Sequence, residues 1–260
     1  LPNGARIGGA VTYAALTARI LGRRPAVFTS CEKRFSLSSL EGIPIARMDS
    51  KATTTFENRE TPKGRVQYLR ALASSLDFER IPPLWRRVEI LHLAPVMNEL
   101  PSTPPPDSLS YAFLGITPQG WLRRCDEEGR VHPAPWEAEA LLRRADAVVL
   151  SIEDLGGDEA RVRAMARAAK VLILTEGRAG ARCFWNGRED HIPAPLVSEI
   201  DATGAGDIFA TAFFIRYYTL RDVLRAARFA ACIAAHSVTR RGIEGIPLPD
   251  EVQFCQTEDA

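Results

Sequence analysis

The chain has 260 residues, enough for one large α/β domain with a substantial buried core. Its 33 basic residues balance 32 acidic ones and no long basic stripe breaks that balance, which argues against a nucleic-acid or anionic-membrane partner and for a small molecule. The cysteines Cys31, Cys125, Cys183, Cys232 and Cys255 are odd in number and lack metal-ligand spacing, so neither a disulfide framework nor a zinc site is expected and a reducing cytoplasm fits best; no apolar run reaches membrane-spanning length, and no signal-peptide pattern opens the chain.

Residues 1–9 are turn-rich, without the apolar strand expected ahead of such a segment in an α/β fold. Gly8-Gly9 leads into an Ala- and Leu-rich helix over 10–21, capped by Gly22. Extended segments follow at 25–30, 43–47 and 52–59, the last with the β-branched and aromatic alternation of a strand with one solvated face. Apolar runs at 88–93 and 111–114 suit parallel central strands, and the proline-rich stretch 101–107 between them excludes a helix. His92, at the end of the first run, is expected to satisfy its ring nitrogen locally. Arg123 and Arg124 follow the second strand at its C-terminal end, where ligands of open α/β sheets collect; they either approach the ligand or sit on solvated surface. Helical periodicity at 136–144 precedes a strand at 147–150, then Ser151-Ile152-Glu153-Asp154 and a helix over 158–169. The run 171–174 reads as the cleanest buried strand, and strand pattern resumes at 181–185 after a glycine-bearing loop. Helices at 208–218 and 221–239 complete the pattern, the second closed by Arg240-Arg241-Gly242.

The chemistry concentrates in Asp201-Ala202-Thr203-Gly204-Ala205-Gly206-Asp207. Gly204 and Gly206 allow close backbone approach, and the first turn of the helix that follows offers unpaired N–H groups and a positive dipole end. That is a cradle for phosphate. A carboxylate beside such a cradle reads as a base taking a proton from an alcohol that attacks the phosphate, so Asp207 points to phosphoryl transfer. Upstream, Thr175, Gly177 and Gly180 suit a nucleotide-phosphate loop at the sheet's C-terminal edge.

The heptapeptide resembles the Asp-x-Thr-Gly-Ala-Gly-Asp signature of the ribokinase-like (PfkB) carbohydrate kinases, with every position kept. The resemblance implies a three-layer α/β/α sandwich with a mainly parallel sheet, one kinase domain over 1–260 and a small β lid with strands around 43–66. It makes Asp207 the catalytic base and the amides of Gly204, Ala205 and Gly206 the anion hole. Thr175, Gly177 and Gly180 match the family's Thr-x-Gly-x-x-Gly contact to ATP, and His236 falls where the adenine pocket is flanked. Gly8 and Gly9 match the family's substrate-side glycine pair, and Phe56 and Asn58 fall on the lid. Where the family carries Asn-x-x-Glu to organise Mg²⁺ through water, this chain has Ser151-x-x-Asp154, so Glu153 or Asp154 is expected to hold hydrated Mg²⁺, with helix capping as the competing role. The Thr-Thr-x-Phe pattern at 53–56, together with Tyr13, is similar to the myo-inositol kinase branch. The implied reaction moves the γ-phosphate of ATP to a sugar or polyol hydroxyl with Mg²⁺. A monovalent cation and a lid-mediated homodimer stay open, as do a nucleoside or vitamin kinase and a catalytically silent ligand-binding relative.

Overall fold

The structure, a computed structural model, describes residues 7–61 and 64–258. In chain order the elements are α1 (Ala10–Ile20), β1 (Val27–Glu32), β2 (Ile45–Ser50), β3 (Thr55–Thr61), β4 (Gly64–Ala71), β5 (Arg87–Leu93), β6 (Ser110–Ile116), β7 (Arg123–Cys125), β8 (Val131–Pro133), α2 (Glu139–Arg144), β9 (Ala147–Ser151), α3 (Glu159–Ala168), β10 (Val171–Thr175), β11 (Ala181–Trp185), β12 (Arg188–Ile192), α4 (Ala205–Leu220), α5 (Val223–Ser237) and α6 (Pro249–Glu258).

The central sheet has six strands in the order β12-β11-β10-β9-β6-β5; β5, β6, β9 and β10 run parallel, and β11 and β12 extend the sheet antiparallel. Strand alternation explains why the central runs are apolar throughout. Val171 and Ile173 of β10 face a core shared with Phe213, Phe214 and Phe229 of α4 and α5, while Leu172 and Leu174 face one shared with Leu141 of α2 and Val162 of α3. With helices on both faces, every residue of such a strand is buried, and the three-layer α/β/α sandwich follows. α4 packs between α1 and α5, so its segment from Ile208 to Phe214 is buried all round.

Three two-stranded sheets stand apart. β1 and β2 pair in parallel, and β3 and β4 form an antiparallel hairpin with an irregularity between Thr55 and Phe56. Of the lid stretch expected around 43–66, β3 and the start of β4 form the hairpin, which continues to Ala71, while β2 joins β1 instead. Tyr68 bridges to Arg130, tying this hairpin to the β7–β8 hairpin. The first six residues of the turn-rich opening, in which no leading strand was read, lie outside the described residues.

Three sequence expectations change. The helix sought over 136–144 begins only at Glu139, because the Trp136 ring stacks on Trp121 (5.2 Å, 12°) and holds its backbone out of the helix. Arg221 takes left-handed torsions (φ 56°) between α4 and α5, and Asp222 accepts from Arg225 N to cap α5. Cys232 and Cys255 are joined by a disulfide, against the expectation of none, since the packing of α5 on α6 brings together cysteines whose spacing shows no pattern. No helix among the described residues is long and apolar enough to cross a membrane.

Candidate active site

The loop from Ile200 to Gly204 is fixed before it reaches α4. The N–H groups of Ile200 and Asp201 donate to Val238 O at the end of α5 (2.8 and 3.1 Å), and the Asp201 carboxylate accepts from Thr203 N and Gly242 N, each at 3.0 Å. Gly204 then caps α4 with φ 82° and ψ −6°. A Cβ there would run into the Tyr13 ring, which is 2% exposed, so α1 fixes the glycine by packing as well as by torsion. The Ala205 N–H is taken by Ala202 O at 3.2 Å, so the cradle foreseen on three amides narrows. Gly206 and Asp207 open the helix with no carbonyl behind them inside it, and a Cβ on Gly206 would meet only open space.

Asp207 sits at the floor of a cleft of about 2170 Å³. That exceeds the ~300–1,000 Å³ of an ordinary small-molecule pocket because the cleft runs on along β1 and β5. Burial pushes the Asp207 carboxyl from 3.8 up to about 7; Arg123 opposes the rise and Asp154 adds to it. The carboxylate is thus poised in the range where a general base works best.

Of the residues read from sequence, Gly8, Gly9, Phe56, Asn58, Glu153, Asp154, Thr175, Gly177, Gly180, Gly204, Ala205, Gly206 and Asp207 all line this cleft. Gly9 (φ 84°) caps α1, and the Gly8 carbonyl accepts from Thr12 Oγ1 at 2.9 Å. Asn58 is held by Gln67 across the lid hairpin at 2.9 Å. In the loop after β10, Glu176 N donates to Gly180 O (2.8 Å), Gly180 takes φ 104°, and a Cβ there would collide with Ile192 O. Arg182 braces the loop between Glu176 and Glu159 at 3.0 and 2.5 Å.

His236 does not line the cleft. Its ring stands edge-on to Phe254 of α6 (5.9 Å), with Nδ1 3.7 Å from Glu251, because that face of α5 is the one packed on α6. Ala231, Ala234 and Ala235 of α5 line the cleft instead. His92 satisfies its Nε2 against Thr117 Oγ1 at 3.0 Å, and burial pushes its pKa down to about 4, as befits a neutral core imidazole.

Two residues noted in the sequence take roles there that it did not give them. Tyr13 packs on the N-cap glycine of α4. Arg123 lines the cleft with its guanidinium 5.6 Å from the Phe56 ring of the lid and Nη1 3.3 Å from Val96 O, whereas Arg124 is exposed. The adjacent arginines were the available signal, since alternation along a strand sends one inward and the other out.

The metal expectation divides between its two residues. Asp154 is committed: one oxygen accepts from Ser151 N (3.0 Å) in a reciprocal capping box, the other from Gln119 Nε2 (3.2 Å). Glu153 is exposed on the cleft wall. Among the described residues, no three acidic, histidine or cysteine ligands gather within 4.8 Å in the cleft. This donor set fits a Mg²⁺ ion held through water and donor phosphates, not an all-protein cage.

Comparison with known proteins gives a consistent picture. Residues 133–251 match the family model described as pfkB family carbohydrate kinase. The ribokinase of Bacillus subtilis is 37% identical over 91 residues, 35% of this chain and 31% of that protein, so the matched stretch spans about a third of the relative's length. A pyrophosphate-dependent kinase of the ribokinase family, solved with a pyrophosphate analog and myo-inositol, superposes with a TM-score of 0.79 at 22% identity, covering 97% of this chain and 94% of that one. The ribokinase of Thermotoga maritima superposes with a TM-score of 0.69 at 20% identity, covering 96% and 87%. These likenesses give the chain the ribokinase-like fold.

Proposed function

We propose that this chain, whose residues 133–251 match the pfkB family carbohydrate kinase model, is a kinase of that family and transfers a terminal phosphoryl group to a sugar or polyol hydroxyl, with Asp207 as the general base. The observation that carries the reading is Asp207 at the cleft floor beside the open N-terminus of α4, its pKa raised by burial to about 7. The acceptor hydroxyl gives its proton to Asp207 as its oxygen attacks in line, and the Gly206 and Asp207 amides face the charge that develops on the transferring group. Arg123 adds a fixed positive charge near that group. Glu153, with Asp154 behind it, would hold hydrated Mg²⁺, which supplies charge neutralisation on the donor phosphates when bound.

ATP is the favoured donor. The loop from Thr175 to Gly180 and the alanine-lined face of α5 leave room for a nucleotide along the cleft. Pyrophosphate is a second reading, favoured by the higher TM-score to the pyrophosphate-dependent kinase (0.79) than to the ribokinase (0.69). On the acceptor side we favour a myo-inositol-like polyol, on the strength of Thr53, Thr54 and Phe56 at the cleft and of the same neighbour's bound polyol.

The test is donor cleavage with Mg²⁺ and either ATP or pyrophosphate, against myo-inositol, ribose, fructose, 2-dehydro-3-deoxygluconate and adenosine. Acceptor-dependent turnover is expected, highest with myo-inositol. A different preferred acceptor would discard the inositol reading, and donor binding without turnover on any acceptor would overturn the transferase reading in favour of a silent binding relative.

A further inference from the structure

The Cys232–Cys255 disulfide lies outside the machinery of the proposed transfer. It ties α5 to α6 across 23 residues of sequence, and a ring nitrogen of His236, one turn after Cys232, lies within 4.8 Å of both sulfurs. The two cysteines are not equivalent: Cys255 is 0% exposed, Cys232 retains 9%, and the neighbouring His236 side chain is 32% exposed. Glu251 of α6 faces the same imidazole through the Oε1 that also pairs with Arg240. An imidazole beside two sulfurs, one fully buried and the other at the margin of the core, is an arrangement that exchange can use, since the attacking sulfur must lose a proton and the departing one must gain it. The remaining cysteines lack this arrangement. Burial raises the thiols of Cys31 and Cys125, and pushes that of Cys183 up to about 12.

We propose that Cys232 and Cys255 form a reversible thiol–disulfide exchange site for low-molecular-weight disulfides, with Cys232 the reacting sulfur, Cys255 the resolving thiol and His236 the proton carrier. From the dithiol, Cys232 gives its proton to His236 and attacks one sulfur of a small disulfide RSSR. The RSSR bond breaks, and the leaving thiolate takes the proton from His236 as RSH. Cys255 then attacks the Cys232 sulfur of the mixed disulfide, and its proton departs with the second RSH. Two protein thiols become one disulfide while RSSR is reduced to two thiols, so no further oxidant enters.

The bond bears on the cleft through continuous contacts. Glu251 of α6 holds Arg240 at 2.5 and 2.8 Å; Arg240 leads to Gly242, whose N–H donates to Asp201 at the start of the loop before α4. Ala231 and Ala235, on either side of Cys232, line the cleft themselves. Opening the disulfide frees α6 from α5 and slackens that support, which weakens donor binding. This consequence rests on the phosphotransferase reading; the thiol chemistry does not.

The experiment equilibrates the native chain in mixtures of reduced and oxidised glutathione, quenches with iodoacetamide and reads each cysteine by peptide mass spectrometry. Cys232 and Cys255 are expected to convert together while Cys31, Cys125 and Cys183 keep one state, and His236→Gln is expected to slow conversion severalfold without moving the midpoint. A pair that stays in one state across the whole range, an unchanged rate in His236→Gln, or zinc retained on the reduced protein would overturn the proposal. The donor KM, measured on reduced and oxidised protein and on Cys232→Ser and Cys255→Ser, is expected to rise severalfold whenever the bond is absent. Reversible exchange with an unchanged KM would refute the link to the cleft.

Discussion

Replacing Asp207 with Asn separates the two consequences of burying a carboxyl in this cleft. The first is kinetic. A general base contributes about 10²–10⁴-fold to rate, so kcat is expected to fall by that factor while donor affinity is kept. In the unmodified chain turnover should also be lost as pH falls through about 7, where Asp207 takes up its proton. The second is thermodynamic. The folded pKa lies above the unfolded value of 3.8, so the carboxylate destabilises the fold once ionised: the penalty is full above about pH 7 and shrinks as pH falls toward 3.8. Its ceiling is about 4 kcal/mol, because each pKa unit is worth about 1.4 kcal/mol. Solvent reaching the cleft screens part of this, leaving about 2 kcal/mol, or roughly 4–8 °C in Tm for a chain of this size. Asp207→Asn should therefore be more stable than the unmodified chain in mildly alkaline buffer, with a smaller gain in acid. Calorimetry across that range, paired with steady-state rates, checks both. Wild-type turnover in the variant, or a stability gain that does not change with pH, would refute the reasoning.

Arg123→Met removes the charge that holds the Asp207 pKa down, so the acid limb of the kcat profile should move to higher pH; an unmoved limb would place Arg123 outside the electrostatics of the base. Gly204→Ala forces a Cβ into a left-handed backbone and against Tyr13, and should cost about 2–4 kcal/mol in urea unfolding, part of it recovered by Tyr13→Ala. Glu153→Gln should raise the Mg²⁺ concentration for half-maximal turnover with little effect on Tm, because this side chain is exposed and takes no part in the capping box that Ser151 and Asp154 form around it. Cys232→Ser opens a loop of 23 residues and should cost about 3 kcal/mol by the chain-entropy account under oxidising conditions, and close to none when the parent is reduced first.

Local pattern carried much of this protein. The unbroken apolar runs at β9 and β10 require cover on both faces, so a helix-flanked parallel sheet follows from the strands themselves. The glycines and Asp207 of the signature are contiguous, and a glycine turn entering a helix fixes the cradle and the base within seven residues. What tertiary structure alone decided are relations between distant segments. Tyr13 against Gly204, Arg123 between the lid and Asp207, and Cys232 bonded to Cys255 each join residues whose proximity has no local periodicity to announce it. His236 shows the converse: sequence put it on the right helix, but which face of α5 meets the cleft and which meets α6 depended on the packing of α6. Asp154 was legible as a carboxylate at the sheet's edge, yet only the folded loop showed it capping its own turn and leaving Glu153 to face the cleft. Sequence thus determined the elements and the reactive loop, because their causes lie within a few residues; the charge around the base and the cross-link behind it come from side chains that meet only when the layers pack.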